Sequence, residues 1–314
     1  MDNLVFSLNA TIPVFLMMVL GQVFRRLDLF SEETAGKMNT FVFKITLPVL
    51  LFGDLAVVDF RQAWDTKFVL FCFCVTLLSI AFAAGISFLW RDRSSQGEFI
   101  QAAYRSSAAI LGIAFITNIY GDAGMAPLMI IGSVPLYNIM AVAVLSIFHD
   151  ERRALGPAFF RSTVRSIITN PILLGILAGL LWSALKLPMP PILRKTVSNL
   201  GGISTPLGLM AMGATFDLKK ALGKLGPAVT AAVIKLAGFC AVFLPLAVRL
   251  GFRDEKLVAI LIMLGSATTV SSYVMARSMG HEGTLSATTV MLTTLFSAFT
   301  LTFWLWLLRS QGLI

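Results

Sequence analysis

Two polar interruptions in an otherwise apolar chain have the composition of an ion cradle rather than of a catalytic centre. The first sets Arg105 beside Ser106 and Ser107, with Gly112 following; the second gathers Gly265, Ser266, Thr268, Thr269, Ser271, Ser272 and Tyr273 within a short stretch. Where a helix opens inside an apolar medium, the following half-helix presents orphan amides and about half a positive charge, which suit a carboxylate. Freed carbonyls and hydroxyls suit a cation instead. Hydroxyls also bond back to their own helix and hold helices together, so the cluster carries more weight than any one member.

Four ionisable residues, Lys44, Asp54, Arg105 and Lys235, fall inside apolar stretches. A charge at the centre of such a stretch costs roughly 2.5–3.5 kcal/mol on insertion scales and therefore calls for a cavity or a partner. Lys44 and Asp54 are ten residues apart in sequence, about 15 Å along a helix, so they do not pair within it. Arg105 heads the candidates for contact with an anion, joined by Lys44 and Asn138; Asp54 and Lys235 are candidates for ion coupling. Snorkelling to a lipid interface accounts for any single long cation equally well. Pro48 and Pro206 remove backbone donors in mid-stretch and, with Gly265, mark expected kinks or breaks.

Other chemistry is excluded. No nucleophile, base and orienting acid fall into a hydrolase pattern, and no phosphate-binding or dinucleotide loop is present. His149 and His281 lie at helix ends and read as solvated, while Cys72, Cys74 and Cys240 lack metal-ligand or disulfide spacing and read as buried, inert thiols. Neither a metal nor an organic cofactor is expected, only a coupling ion, H+ or Na+.

These groups need a membrane to make sense. Hydrophobic residues are 57% of the chain and charged residues 13%, against roughly a quarter charged in an average soluble domain. A spanning helix needs about 20 apolar residues, and such stretches run over 4–24, 41–58, 68–90, 102–120, 126–148, 167–185, 197–216, 227–248, 257–275 and 285–308. The N-terminus lacks the basic region and cleavage site of a secretory signal, so the first stretch reads as a retained helix. The formal charge of +9 resides in short loops, where topology puts it, and argues against nucleic acid; its bias across the loops favours both termini outside.

The polar stretch 149–166 divides the chain into a first repeat, 1–148, and a second, 167–314. An offset of 158 residues lays Pro13 on Pro171, Gly21 on Gly179 and Pro48 on Pro206; one residue more lays Ser107 on Ser266, Ala108 on Ala267 and Gly121 on Gly280. With five spans per half, the second copy enters from the opposite side. Such inverted repeats point to transporters with substrate near the midplane.

TFVFKITLPVLLFGDLA at 40–56, NPILLGILAGLLW at 170–182, STPLGLMAMGATFDL at 204–218, SATTVSSYVMARSMG at 266–280 and LSATTVMLTTLFS at 285–297 resemble the auxin efflux carrier family, which includes bacterial malonate-type carriers and the plant PIN-type exporters. The resemblance implies an all-α integral membrane fold of about ten helices in two inverted five-helix repeats. Helices 4 and 9 would be broken and crossed, as in sodium/proton antiporters and bile-acid symporters. The expected function is alternating access, elevator-like or rocking, for a small organic anion in a bacterial inner membrane, with dimerisation as in plant relatives an open option. Family members carry prolines at the crossovers, and Ala114 and Ala267 stand about where these are expected. A sodium-coupled organic-anion symporter and a transporter-like sensor are the rival readings. A sodium/proton antiporter is disfavoured because neither 102–120 nor 257–275 contains Asp or Glu.

Overall fold

The computed structural model describes residues 2–57, 64–90, 92–121, 124–149 and 157–314, and within them the fold is helical with no strand. The first half runs α1 (Asp2–Arg26), α2 (Glu32–Phe41), α3 (Leu47–Ala56), α4 (Thr66–Ser87), α5 (Arg93–Tyr104), α6 (Ala108–Tyr120) and α7 (Ala126–Ile147). The second runs α8 (Pro157–Ile168), α9 (Pro171–Ala184), α10 (Pro191–Gly202), α11 (Ser204–Thr215), α12 (Leu218–Gly223), α13 (Leu225–Val233), α14 (Phe239–Arg249), α15 (Asp254–Gly265), α16 (Ser271–Ser278) and α17 (Thr284–Ser310). A π-helical turn, Val42–Thr46, joins α2 to α3, and another, Ile234–Gly238, joins α13 to α14. Part of the expected 149–166 linker is thus helix α8, and 150–156 lies outside the described residues.

Among the described residues five helical runs, Glu32–Ala56, Thr66–Ser87, Ala126–Ile147, Leu225–Arg249 and Thr284–Ser310, are long and apolar enough to cross a bilayer, and Pro171–Ala184 is a shorter apolar helix. Large apolar side chains such as Leu16, Leu78, Phe82, Leu181, Val242 and Phe303 are exposed on their outer faces, which water would penalise and lipid would not. The expected span 4–24 is the continuous helix α1, whereas 102–120 and 257–275 are divided: α5 stops at Tyr104 before α6 begins at Ala108, and α15 stops at Gly265 before α16 begins at Ser271.

Local chemistry sets the ends. Ser31, Asp65 and Asn170 cap α2, α4 and α9 by accepting the amides of Thr34, Phe68 and Ile172, each satisfying an orphan donor. Pro48 follows the π-helical turn and Pro206 follows the interruption at Ile203, so each proline lies one turn beyond the irregularity that its missing N–H permits.

The packing carries the duplication in three dimensions. Helix α3 packs chiefly on α9, and α1 on α11. A Cβ at Gly21 would collide with the carbonyl of Met210, and one at Gly179 with the carbonyl of Phe52. Both members of one contact lie 158 residues from their counterparts in the other, so the sequence offset recurs as a repeated helix crossing. The absence of a side chain lets the backbones approach there, the usual device for helix association in lipid.

Candidate substrate site at the helix crossover

The two breaks meet. Ser107 donates its backbone N–H to the carbonyl of Ala267 at 2.9 Å, Thr268 donates its amide to Thr293 Oγ1 of α17 at 3.0 Å, and its hydroxyl donates to the carbonyl of Ala102 at 2.8 Å. Backbone freed by a broken helix at membrane depth has to find partners inside the protein, and here each break supplies them to the other. The expectation that Ala114 marks a crossover is corrected: the break falls at 105–107 and Ala114 lies in the middle of α6, whereas Ala267 does lie in the second break.

Arg105 is the centre of the site. It is 2% exposed; Nη2 donates to Asn138 Oδ1 at 2.9 Å and to Ser271 Oγ at 2.6 Å, and Nη1 lies 2.7 Å from Met275 Sδ. Among the described residues its Nε has no hydrogen-bond partner and no acidic side chain pairs with it. Asn138 is itself oriented by donating Nδ2 to the carbonyl of Val134.

Arg105 faces a cavity of about 60 Å³, shared with Ser106, Ser107, Asp54, Asn138, Thr269 and Ser271, room for a few water-sized groups. Helices α6 and α16 both start at this cavity, and neither has a side chain capping its N-terminus. Two sets of orphan amides, each with a partial positive charge, thus stand beside a guanidinium that has no acidic partner among the described residues.

The opposite helix ends are neutralised. Lys235, fully buried, donates to the carbonyls of Leu264 at 2.7 Å, Met263 at 3.3 Å and Tyr104 at 3.5 Å, and to the hydroxyl of Ser106. Ser106 in turn donates to the carbonyl of Met263. The C-termini of α5 and α15 are therefore already matched by a cation of the chain itself.

Other expected site residues are placed as follows. Ser266 and Ser272 are fully buried, with hydroxyls that find no partner among the described residues. Tyr273 turns away from the cavity and bonds through its hydroxyl with Thr215 Oγ1 at 2.5 Å. Lys44 is exposed on the outer side of its helix and does not line the cavity. Gly112 sits within α6, in a stretch whose side chains lie outside the described residues. His281 is buried rather than solvated and bonds through Nε2 with the Leu145 carbonyl at 2.9 Å. Cys72 and Cys240 are buried, but Cys74 is exposed on α4.

Residues that the sequence did not single out support or line the site. The stretches 102–120 and 257–275 hold no carboxylate, but their helices extend beyond them: α15 begins with Asp254 and Glu255, and α5 includes Glu98. Its two oxygens accept the amides of Gly283 and Ser286 at 2.8 and 2.9 Å, capping α17. Gln101 donates to the Ser272 carbonyl at 2.8 Å. The spacing of Glu98 and Gln101, one helical turn, was the available signal. Tyr137, Ser204 and Thr205 also line the cavity.

The cavity has a direction. Through Leu50 and Asp54 it adjoins a second cavity that includes Arg194 and Ser198. A third, lined by Arg25, Lys220, Arg277 and Glu282, shares no residue with it. Thr215 and Tyr273, joined by their hydroxyls, belong to the wall of this third cavity.

A family model described as "Membrane transport protein" matches residues 6–305. A "Putative malonate transporter" of Rhizobium meliloti (strain 1021) is 26% identical over 327 residues, covering 96% of each chain. An "Uncharacterized transporter" of Methanothermobacter thermautotrophicus is 22% identical over 222 residues, covering 68% of this chain and 69% of that one. The sodium proton antiporter MjNhaP1 of Methanocaldococcus jannaschii, solved at pH 8, superposes with a TM-score of 0.61 at 13% identity, covering 91% of this chain and 92% of that one. At that identity the likeness speaks for the fold.

Proposed function

Given that the chain belongs to the membrane transport protein family, that of the auxin efflux carriers, we propose that it carries a small organic mono- or dicarboxylate across the cell membrane by alternating access. The observation that carries this reading is Arg105: buried, oriented by Asn138 and Ser271, and without a carboxylate partner among the described residues. A buried cation in that state is costly unless an anion completes it, and two uncapped helix N-termini face the same space.

In this reading the substrate carboxylate docks on the Arg105 guanidinium and on the amides at the starts of α6 and α16, with Ser107, Thr269 and Ser271 supplying hydroxyls. Asp54, in the same wall, discourages a second full negative charge and so favours a monoanion or a proton taken up with the substrate. Access runs past Leu50 and Asp54 on one side while Thr215 and Tyr273 help close the other. The malonate assignment of the Rhizobium relative makes malonate the first substrate to try.

Proteoliposomes loaded with the purified protein and given radiolabelled malonate test the proposal, with acetate, succinate and an uncharged analogue as competitors. Saturable uptake competed by carboxylates alone is expected. Specific binding without flux would replace the carrier with a sensor, and uptake indifferent to carboxylates would overturn the substrate class.

A further inference from the structure

Lys235 occupies a position built like an alkali-cation site. Its ammonium meets three backbone carbonyls, those of Tyr104, Met263 and Leu264, and the Ser106 hydroxyl. These are neutral oxygen donors at the C-terminal ends of two half-helices, where the carbonyls lack intrahelical partners and carry partial negative charge. No carboxylate among the described residues pairs with Lys235, so the helix ends and the hydroxyl are what hold this fully buried charge.

The support for Lys235 is local and specific. It lies in the π-helical turn Ile234–Gly238, a form found mostly as single turns inside α-helices and often at functional sites. That turn is pinned by Trp304, whose indole N–H donates to the Leu236 carbonyl at 3.1 Å. Unwound carbonyls and half-helix C-termini are the groups that coordinate sodium where broken helices cross in transporters. Here the ammonium stands among them.

We infer that Lys235 is a tethered cation filling a monovalent-cation position at the helix crossover, and that removing its side chain uncovers a site for sodium. The consequence for coupling rests on the carrier reading above: with its own cation in place, the protein needs no sodium gradient to move its substrate. The site itself stands independently of what is carried.

Thermal unfolding of the purified protein in sodium chloride and in choline chloride at equal ionic strength tests this, for wild type, Lys235→Ala, Lys235→Ser and Lys235→Met. Wild type should unfold at the same temperature in both salts. The Ala or Ser variant should be stabilised by sodium in a saturable way, by about 3 °C once the ion is near ten times its dissociation constant. The Met variant, which fills the space without oxygen ligands, should not respond. Sodium-specific stabilisation of wild type would overturn the inference, and so would a folded Ala or Ser variant blind to sodium. If neither small variant folds, binding of radioactive sodium to wild type decides: none is expected, and saturable binding displaced by cold sodium contradicts the tethered-cation role. Because these readouts involve no carboxylate, a negative malonate uptake experiment leaves them intact.

Discussion

Ser107 gives its backbone N–H to the carbonyl of Ala267 over 2.9 Å, so each broken helix is tied to the other where its own ladder stops. The tie explains how both helices break without proline at the crossover. Hydroxyls and the facing backbone take up groups that would otherwise be unpaired, and Lys235 neutralises the carbonyl ends.

Proline should accordingly be tolerated at one position and not at another. Ser266 has φ −73° and ψ 160°, the extended conformation that a residue preceding proline prefers, and the Ala267 amide makes no described hydrogen bond. Ala267→Pro should therefore yield folded protein with an unfolding temperature close to wild type. Ala114→Pro, in the middle of α6, removes a helical bond and clashes with the preceding turn, at about 3 kcal/mol or more. Monodisperse elution on size exclusion after mild heating separates the two; equal behaviour would refute the placement of the break.

The repeated glycine crossings make a paired prediction. Gly→Ala in a helix ordinarily gains about 0.5–1 kcal/mol, but at Gly21 and Gly179 the added methyl meets the backbone of Met210 and Phe52, and overpacking typically costs about 1–3 kcal/mol. Both variants should lower the unfolding temperature by similar amounts. Gly36→Ala, with nothing within 4 Å of the new methyl, should be neutral or slightly stabilising.

Glu98 should behave as a structural cap, not as a transport carboxylate. Glu98→Ala leaves the Gly283 and Ser286 amides unpaired, at about 1–3 kcal/mol for each buried donor, while Glu98→Gln keeps one acceptor. Stability should fall in the order wild type, Gln, Ala, and the Gln variant should retain the pH dependence of uptake. A flattened pH profile in Glu98→Gln would assign the residue a proton-carrying role instead.

Much of this was legible in the sequence because hydrophobic length and hydroxyl clustering are local signals. The apolar stretches, the two interruptions and the 158-residue offset all reappear as helices, breaks and a repeated crossing. The features not read there, the partners of Lys235 and the role of Glu98, depend on contacts distant in sequence. Lys235 meets its oxygens on segments 28 to 131 residues away. Glu98 lay outside the expected span because amphipathic α5 starts in a polar stretch that hydropathy does not count as membrane. Lys44 and Arg105 look alike as intramembrane cations, yet Lys44, in the π-helical turn, is exposed while Arg105 is buried at the break.

A pH response is expected at the membrane surface. Asp65 caps α4, and the hydrogen bond from Lys256 at 2.6 Å, followed by the Phe68 amide, holds its carboxyl below the ordinary value of 3.8. The folded state thus binds this proton less readily than the unfolded one. Its stabilisation is complete above the ordinary carboxylate value and is lost as pH falls through the depressed one. Asp65→Asn, which retains a capping oxygen, should lose less stability than wild type on acidification below pH 3.8, checked by unfolding temperature across that range. Parallel curves would show that the pair contributes nothing.

The central claim is that Arg105 holds the substrate anion. Its most direct test is equilibrium binding of radiolabelled malonate to wild type, Arg105→Gln and Arg105→Lys, each checked for monodispersity. Charge-assisted hydrogen bonds contribute about 1.5–3 kcal/mol, so Arg105→Gln should bind about 10- to 150-fold more weakly. Arg105→Lys should recover only part of this, because an ammonium cannot reach Asn138, Ser271 and a carboxylate in one planar fork. Undiminished malonate affinity in a folded Arg105→Gln protein would contradict the account.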